Sequence, residues 1–199
     1  MRKVIALGGA ALMTALSITS VRAAEAPAKI QKDCAVCHQM SGPASPDLAA
    51  RQTRKGPPLF FTGNKFRRDW LLSGHPAVDA PAAKQIADYL MTLTPNTALL
   101  AKEDYTPGRV SARIGAMDFV KFKGCSGCHK DTPKYGGFSG PELHTAWQRL
   151  QPPFIVSYIR DPAAWEPRTL MPNKHLNTAG IHKLANYLRT IGEKPEKAK

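Results

Sequence analysis

Beyond an apolar stretch from Val4 to about Ile18, no run of the 199-residue chain approaches the roughly 20 apolar residues that span a bilayer. Alternating strand patterns are almost missing, and acidic residues are scarce, with 15 Asp and Glu against 28 Lys and Arg. The first shortage excludes a helical membrane anchor downstream of the start, and the second predicts an all-α chain. The third leaves a formal charge of +13, an excess that favours acidic partners or an anionic membrane surface. Cysteines number only four, and none lies near the start where a lipid would be attached.

What the start does contain is Met1, Arg2 and Lys3, then the apolar stretch, then small residues around Ala23, Ala24 and Ala26. That order is a secretory signal peptide over residues 1–24 and predicts a periplasmic protein. Loss of Arg2, Lys3 and Arg22 with the leader leaves 25 basic and 15 acidic residues. An oxidising compartment ordinarily turns four cysteines into two disulfides. The spacing argues otherwise, because each pair is followed at once by histidine: Cys34-Ala35-Val36-Cys37-His38 and Cys125-Ser126-Gly127-Cys128-His129.

Cys-x-x-Cys-His is a haem-attachment pattern. Residues three and four apart share one face of a helical turn, so two thiols and an imidazole can converge on a single planar ligand. The thiols add to the haem vinyl groups as thioethers and the imidazole binds iron. A zinc ribbon needs its two Cys-x-x-Cys pairs about 15–20 residues apart, far closer than Cys37 and Cys125. The expected cofactors are therefore two covalent haem c groups.

The chain also repeats itself. Ile86-Ala87-Asp88-Tyr89-Leu90 returns as Leu184-Ala185-Asn186-Tyr187-Leu188, and Gly56-Pro57-Pro58-Leu59 returns as Gly140-Pro141-Glu142-Leu143. Duplicated units explain this better than one large core. The units fall at residues 28–94 and 111–192, joined by a surface connector at 95–110 that contains Pro95, Asn96, Pro107 and Gly108. The lysine- and glutamate-rich tail, 193–199, has the composition of a disordered segment. Pro152 and Pro153 start a short helix through Ile159, and the last helix begins near Thr178. Units of about 70 residues bury little surface, so each haem would act as core as well as cofactor.

On these residues the chain resembles class I c-type cytochromes, and as a whole the dihaem periplasmic cytochromes built of two tandem class I domains. The resemblance covers nearly all of the chain after the leader. It implies that the first and last helices of each domain cross, the last being the Tyr89-Leu90 and Tyr187-Leu188 helices. It also implies that the Pro57 carbonyl meets the proximal His38, and the Pro141 carbonyl meets His129.

For the second iron ligand the resemblance points to Met171-Pro172, in the loop before the last helix. The first copy departs from this. Gly56 to Tyr89 is 33 positions and Gly140 to Tyr187 is 47, so the first copy lacks 14 residues there, and the segment holds no methionine. His75, followed by Pro76, is the candidate ligand, with Met91 or an open iron as alternatives. Met40 lies too near His38 to reach the opposite haem face. His144 and His182 read as packing or surface histidines, and Trp70, Trp147 and Trp165 as haem-pocket walls or core. Arg51, Arg54, Lys55, Lys65, Arg67 and Arg68 concentrate in the first copy and form the expected docking face.

The expected function is electron transfer between acidic redox protein partners, without catalysis, without nucleic acid and without a stable membrane anchor. The alternatives are a haem enzyme, a peroxidase or sulfur-compound oxidoreductase, using an open iron in the first copy, or the electron-transfer subunit of a dehydrogenase.

Overall fold

A computed structural model describes residues 27–73, 80–100, 105, 108 and 111–193. The expected leader, His75, much of the connector and residues 194–199 of the expected tail lie outside the described residues. The first half contains a π-helical turn at Ile30–Cys34, α1 (Leu48–Gln52), α2 (Thr62–Lys65), α3 (Arg68–Leu72) and α4 (Ala80–Met91). A short α5 (Thr97–Leu100) opens the connector. The second half contains α6 (Ala112–Met117), α7 (Ala146–Arg149), α8 (Pro152–Arg160), α9 (Pro162–Trp165) and α10 (Thr178–Gly192). One small hairpin, β1 (Lys130–Thr132) against β2 (Tyr135–Gly136), interrupts the helical pattern just after the second Cys-x-x-Cys-His.

The long helices form where sequence and caps agree. Asn177 caps α10 by accepting a hydrogen bond from the Gly180 amide at 2.9 Å. Ile181, Leu184, Ala185 and Leu188 then fall on one buried stripe of that helix. Pro152 and Pro153 start α8, where a missing amide costs nothing. Across α10 lies α6, and Gly115 makes the crossing: a Cβ there would strike the Lys183 carbonyl. In the first half Ile30, beside the first motif, packs on Ile86 and Leu90 of α4, with Met40 against the same cluster.

The two halves are not separate beads. Phe66 pairs antiparallel with Leu150, the Arg67 amide donates to the Arg149 carbonyl at 2.8 Å, and the Gln151 amide donates to the Lys65 carbonyl at 2.9 Å. Superposing Gly56-Pro57-x-Leu59 on Gly140-Pro141-x-Leu143 makes Phe66 the counterpart of Leu150, Lys65 of Arg149 and Arg67 of Gln151. Equivalent segments therefore face each other across a local two-fold axis, as in an isologous dimer. Behind this seam Phe60 and Phe61 share a buried core with Phe154 and Trp165. Trp165 thus belongs to the join between halves. Trp147 packs on the second half's last helix, and Trp70 stacks on Phe66 with its face half-open to solvent.

The connector is also anchored where it is described. Asn64, buried in the first half, donates to Thr97 Oγ1 at 3.2 Å and accepts from the Asn96 amide at 3.1 Å. Asn186, buried in α10, accepts from the Tyr105 hydroxyl at 2.6 Å and the Gly108 amide at 3.2 Å. Each end of the link is pinned to its own half by a buried amide.

Lys65 is the odd member of the seam. Its ammonium lies 5.0 Å from the centroid of Phe66, 5.5 Å from that of Phe61 and 5.7 Å from that of Phe154. Burial pushes its pKa down to about 8, and Arg149 and Arg54 add to the effect while Glu166 opposes it. An unfolded lysine titrates near 10.5, so between pH 8 and 10.5 the folded state holds fewer protons than the unfolded one. Stability should then rise by about 3 kcal/mol across that window, the full cost being present below it. Lys65→Met should be more stable at pH 7 and lose this rise, as read by urea unfolding of both proteins at pH 7 and pH 10. Parallel pH profiles would show that the ammonium is fully solvated.

Candidate functional site

Both Cys-x-x-Cys-His motifs are built on the same backbone turn. In the first, the Cys37 and His38 amides donate to the Cys34 carbonyl at 3.0 and 2.8 Å. In the second, the Cys128 and His129 amides donate to the Cys125 carbonyl at 3.1 and 3.0 Å. The approach to the turn is likewise a π-helical segment in each copy, Ile30–Cys34 and Asp118–Phe122. All four cysteines are free thiols, with Cys37 and Cys128 exposed and Cys34 and Cys125 half-buried. Burial raises the pKa of Cys34, with Asp33 adding to it, and burial does the same for Cys125. The raised values of Cys34 and Cys125 run opposite to the depressed thiol pKa of redox dithiols.

Each histidine is held from behind by a proline carbonyl. His38 Nδ1 lies 2.7 Å from the Pro57 oxygen, and His129 Nδ1 lies 2.7 Å from the Pro141 oxygen. A carbonyl only accepts, so Nδ1 carries the proton and Nε2 keeps the lone pair that a metal needs. The glycine before each proline allows the approach. A Cβ on Gly56 would sit 2.6 Å from His38 Cε1, and one on Gly140 would sit 2.5 Å from His129 Cε1. His129 is buried, while His38 is more open.

Tyr187 of the Tyr-Leu helix adds a contact that the sequence did not announce. Its hydroxyl donates to Asp131 Oδ2 at 2.6 Å, tying α10 to the strand after His129. Burial, then the Asp131 carboxylate, raises the Tyr187 pKa. The counterpart of Asp131 in the first copy is Met40, so the same junction is apolar there.

Met171 stands half-buried in the irregular stretch between α9 and α10, its amide donating to Thr169 Oγ1 at 3.2 Å. Thr169 is fixed in turn by the Tyr158 hydroxyl at 3.1 Å and by its own amide on the Glu166 carbonyl at 2.9 Å. Met91 closes α4, half-buried. His144 Nδ1 lies 3.0 Å from Glu142 Oε2, and the His182 ring meets the Tyr105 ring edge-on.

The basic group expected as a docking face is largely engaged inside the chain. Arg54 pairs with Glu166, Arg67 donates to the Leu150 carbonyl, Arg68 pairs with Asp88, and Lys65 lies among aromatic rings. Charge on a short amphipathic stretch looks alike whether it faces solvent or a second half. The cue was there in Phe60-Phe61 and Phe66, aromatic residues interleaved with those cations.

Exposed apolar side chains include Val36 within the first motif, Phe138 after the second and, farther along, Leu170 beside Met171. A planar apolar group would cover surface of this kind. Among the described residues no three His, Cys, Asp or Glu side chains converge as a metal-ion site. Two free thiols, an imidazole backed by a carbonyl and a glycine that leaves room for the ring are the groups that a covalent haem would require of each motif. No protein-family model, curated protein or solved structure matches the chain.

Proposed function

We propose that the chain is a dihaem c-type cytochrome that passes electrons between periplasmic redox partners. One covalent haem c would be held by Cys34, Cys37 and His38, the other by Cys125, Cys128 and His129. The observation that carries this reading is the repetition, once in each half, of one turn with its histidine 2.7 Å from a proline carbonyl. Haem c bound in this way supplies reversible one-electron exchange at iron. The residues of the chain do the rest. Two thiols would fix each haem covalently, Pro57 and Pro141 hold the imidazoles in one tautomer and orientation, and the clusters of Ile30, Ile86 and Leu90 and of Phe119, Leu184 and Leu188 would give each haem an apolar neighbour.

Denatured intact-protein mass should exceed that of the bare polypeptide by two haem groups, and Cys125→Ser with Cys128→Ser should retain one. A mass with no added haem overturns the proposal.

The second ligands differ under this reading, Met171 for one iron and His75 for the other. Met171→Ala should remove the weak methionine-to-iron absorption band of the oxidised protein, and that band should account for one haem only. His75→Ala should leave it and let the first haem bind carbon monoxide. If His75→Ala alters neither spin state nor carbon monoxide binding, Met91 or an open iron replaces it. Methionine raises the potential relative to histidine, so the second haem should be reduced first.

A further inference from the structure

Between the first Cys-x-x-Cys-His and Gly56 the chain carries a segment with no full counterpart: His38 to Pro57 is 19 positions, whereas His129 to Pro141 is 12. This insert includes α1, which Asp47 caps by accepting from the Ala49 and Ala50 amides. It reaches the second half, where the Arg168 Nε donates to the Pro46 carbonyl. Insert and second half together line an open cleft of about 290 Å³, with Gln39, Ser45, Arg51, Arg54, Glu166 and Arg168 among its walls.

The charge in this cleft does not balance. Three arginines and a single carboxylate, Glu166, line it. Arg54 Nη2 is 3.5 Å from Glu166 Oε2, a loose pair, and Lys65 draws on the same carboxylate. Arg168 has one donor on a backbone carbonyl. Arg51 Nε is buried with no hydrogen-bond partner. A buried donor left unpaired costs about 1–3 kcal/mol, more when it belongs to a charged group. The surplus is therefore two positive charges with unspent, fork-shaped donors.

We propose that this cleft binds a small oxyanion from solution, of the phosphate or carboxylate class, gripped between Arg51 of the first half and Arg168 of the second. Guanidinium forks match such anions bidentately. The cleft lies at the small end of ligand pockets, which run from roughly 300 to 1,000 Å³, as a compact anion requires. Because the two arginines come from different halves, the anion is a clamp across the seam and favours the docked arrangement by mass action. The inference stands on the cleft alone and is independent of the haems.

The test uses the protein as exported, with inorganic phosphate as the probe at constant ionic strength, chloride making up the balance. Calorimetry should show one saturable site per chain, and Tm should climb with phosphate concentration. Arg51→Gln with Arg168→Gln should weaken binding by at least about tenfold, the scale of one charge-assisted contact. Arg113→Gln with Lys121→Gln removes equal charge from exposed side chains outside the cleft and should leave the affinity within about twofold, as expected if bulk charge is not the cause. If the first double variant does not fold, Arg168→Gln alone, at an exposed side chain, carries the same comparison. Binding that phosphate shares with chloride, or equal losses in the two double variants, overturns the proposal. A haem count on the same samples reports separately on the electron-transfer reading.

Discussion

Trp165→Ala should lower the free energy of unfolding by about 3–5 kcal/mol, the range for emptying a buried Trp or Phe position. Trp165 is 2% exposed, its ring lies 4.7 Å from that of Phe154 and 5.6 Å from that of Phe61, and its Nε1 donates to Ser157 Oγ at 3.0 Å. Truncation removes two aromatic contacts, opens a hole between the halves and leaves the Ser157 hydroxyl, buried with it, short of a partner. Because Phe61 is contributed by the other half, the loss should also reduce the cooperativity of unfolding. A urea titration followed by helical circular dichroism, and separately by fluorescence of the remaining tryptophans, reads both effects. A change below about 1 kcal/mol with a single unaltered transition would mean that the halves are stabilised independently of this core.

A comparably large change is expected from Gly140→Ala. The new methyl group would lie 2.5 Å from His129 Cε1 and 2.7 Å from its Nδ1, so either the imidazole or the Gly140-Pro141 backbone must move. Both movements stretch the 2.7 Å contact between Nδ1 and the Pro141 carbonyl. Partners that orient a ligating histidine typically carry a 10–100-fold effect on metal affinity or activity when lost. Under the dihaem reading proposed above, the expected result is a lowered yield of haem in the second half, a shifted reduction potential for what is incorporated, and an unaltered first haem. Gly56→Ala should do the same to the first half, where the added Cβ meets His38 Cε1 at 2.6 Å. His38 is more open to solvent than His129, so its ring has more room to yield and the effect should be smaller. Redox titration of the two variants beside the parent, with haem content measured first, separates these outcomes. Potentials that stay within error of the parent in both would show that the backbone absorbs the methyl group.

Much of the candidate site's backbone geometry was legible in the chain itself, because its logic is local. Cys-x-x-Cys-His places three groups on one turn through i to i+3 and i to i+4 hydrogen bonds, and those depend on neighbours in sequence alone. Gly-Pro-x-Leu announces itself in the same way, since glycine and proline prescribe backbone geometry. The helix over 152–160 and the start of α10 near Thr178 also follow from proline, an Asn cap and a hydrophobic stripe. The small hairpin after His129 did not stand out. With only three and two residues in its strands, it offers no alternation to read.

What the sequence by itself determined, then, is the pair of motifs, the repeat and the largely helical character, all set by spacing within a few residues. Only the tertiary structure decided which surfaces those repeats turn toward each other. Phe60, Phe61, Lys65 and Arg67 look like a cationic, aromatic surface in one dimension. They become the seam because Phe154 and Trp165, about a hundred positions away, offer the apolar area that matches them. Nothing local distinguishes an arginine that meets water from one that meets a carbonyl of the other half, as Arg67 meets Leu150. The same holds for the charge surplus around Arg51 and Arg168, which exists only because the longer insert of the first half folds onto the second. Long-range contacts of this kind depend on which apolar faces remain unburied after each half has formed, a property of the assembled chain rather than of any window within it.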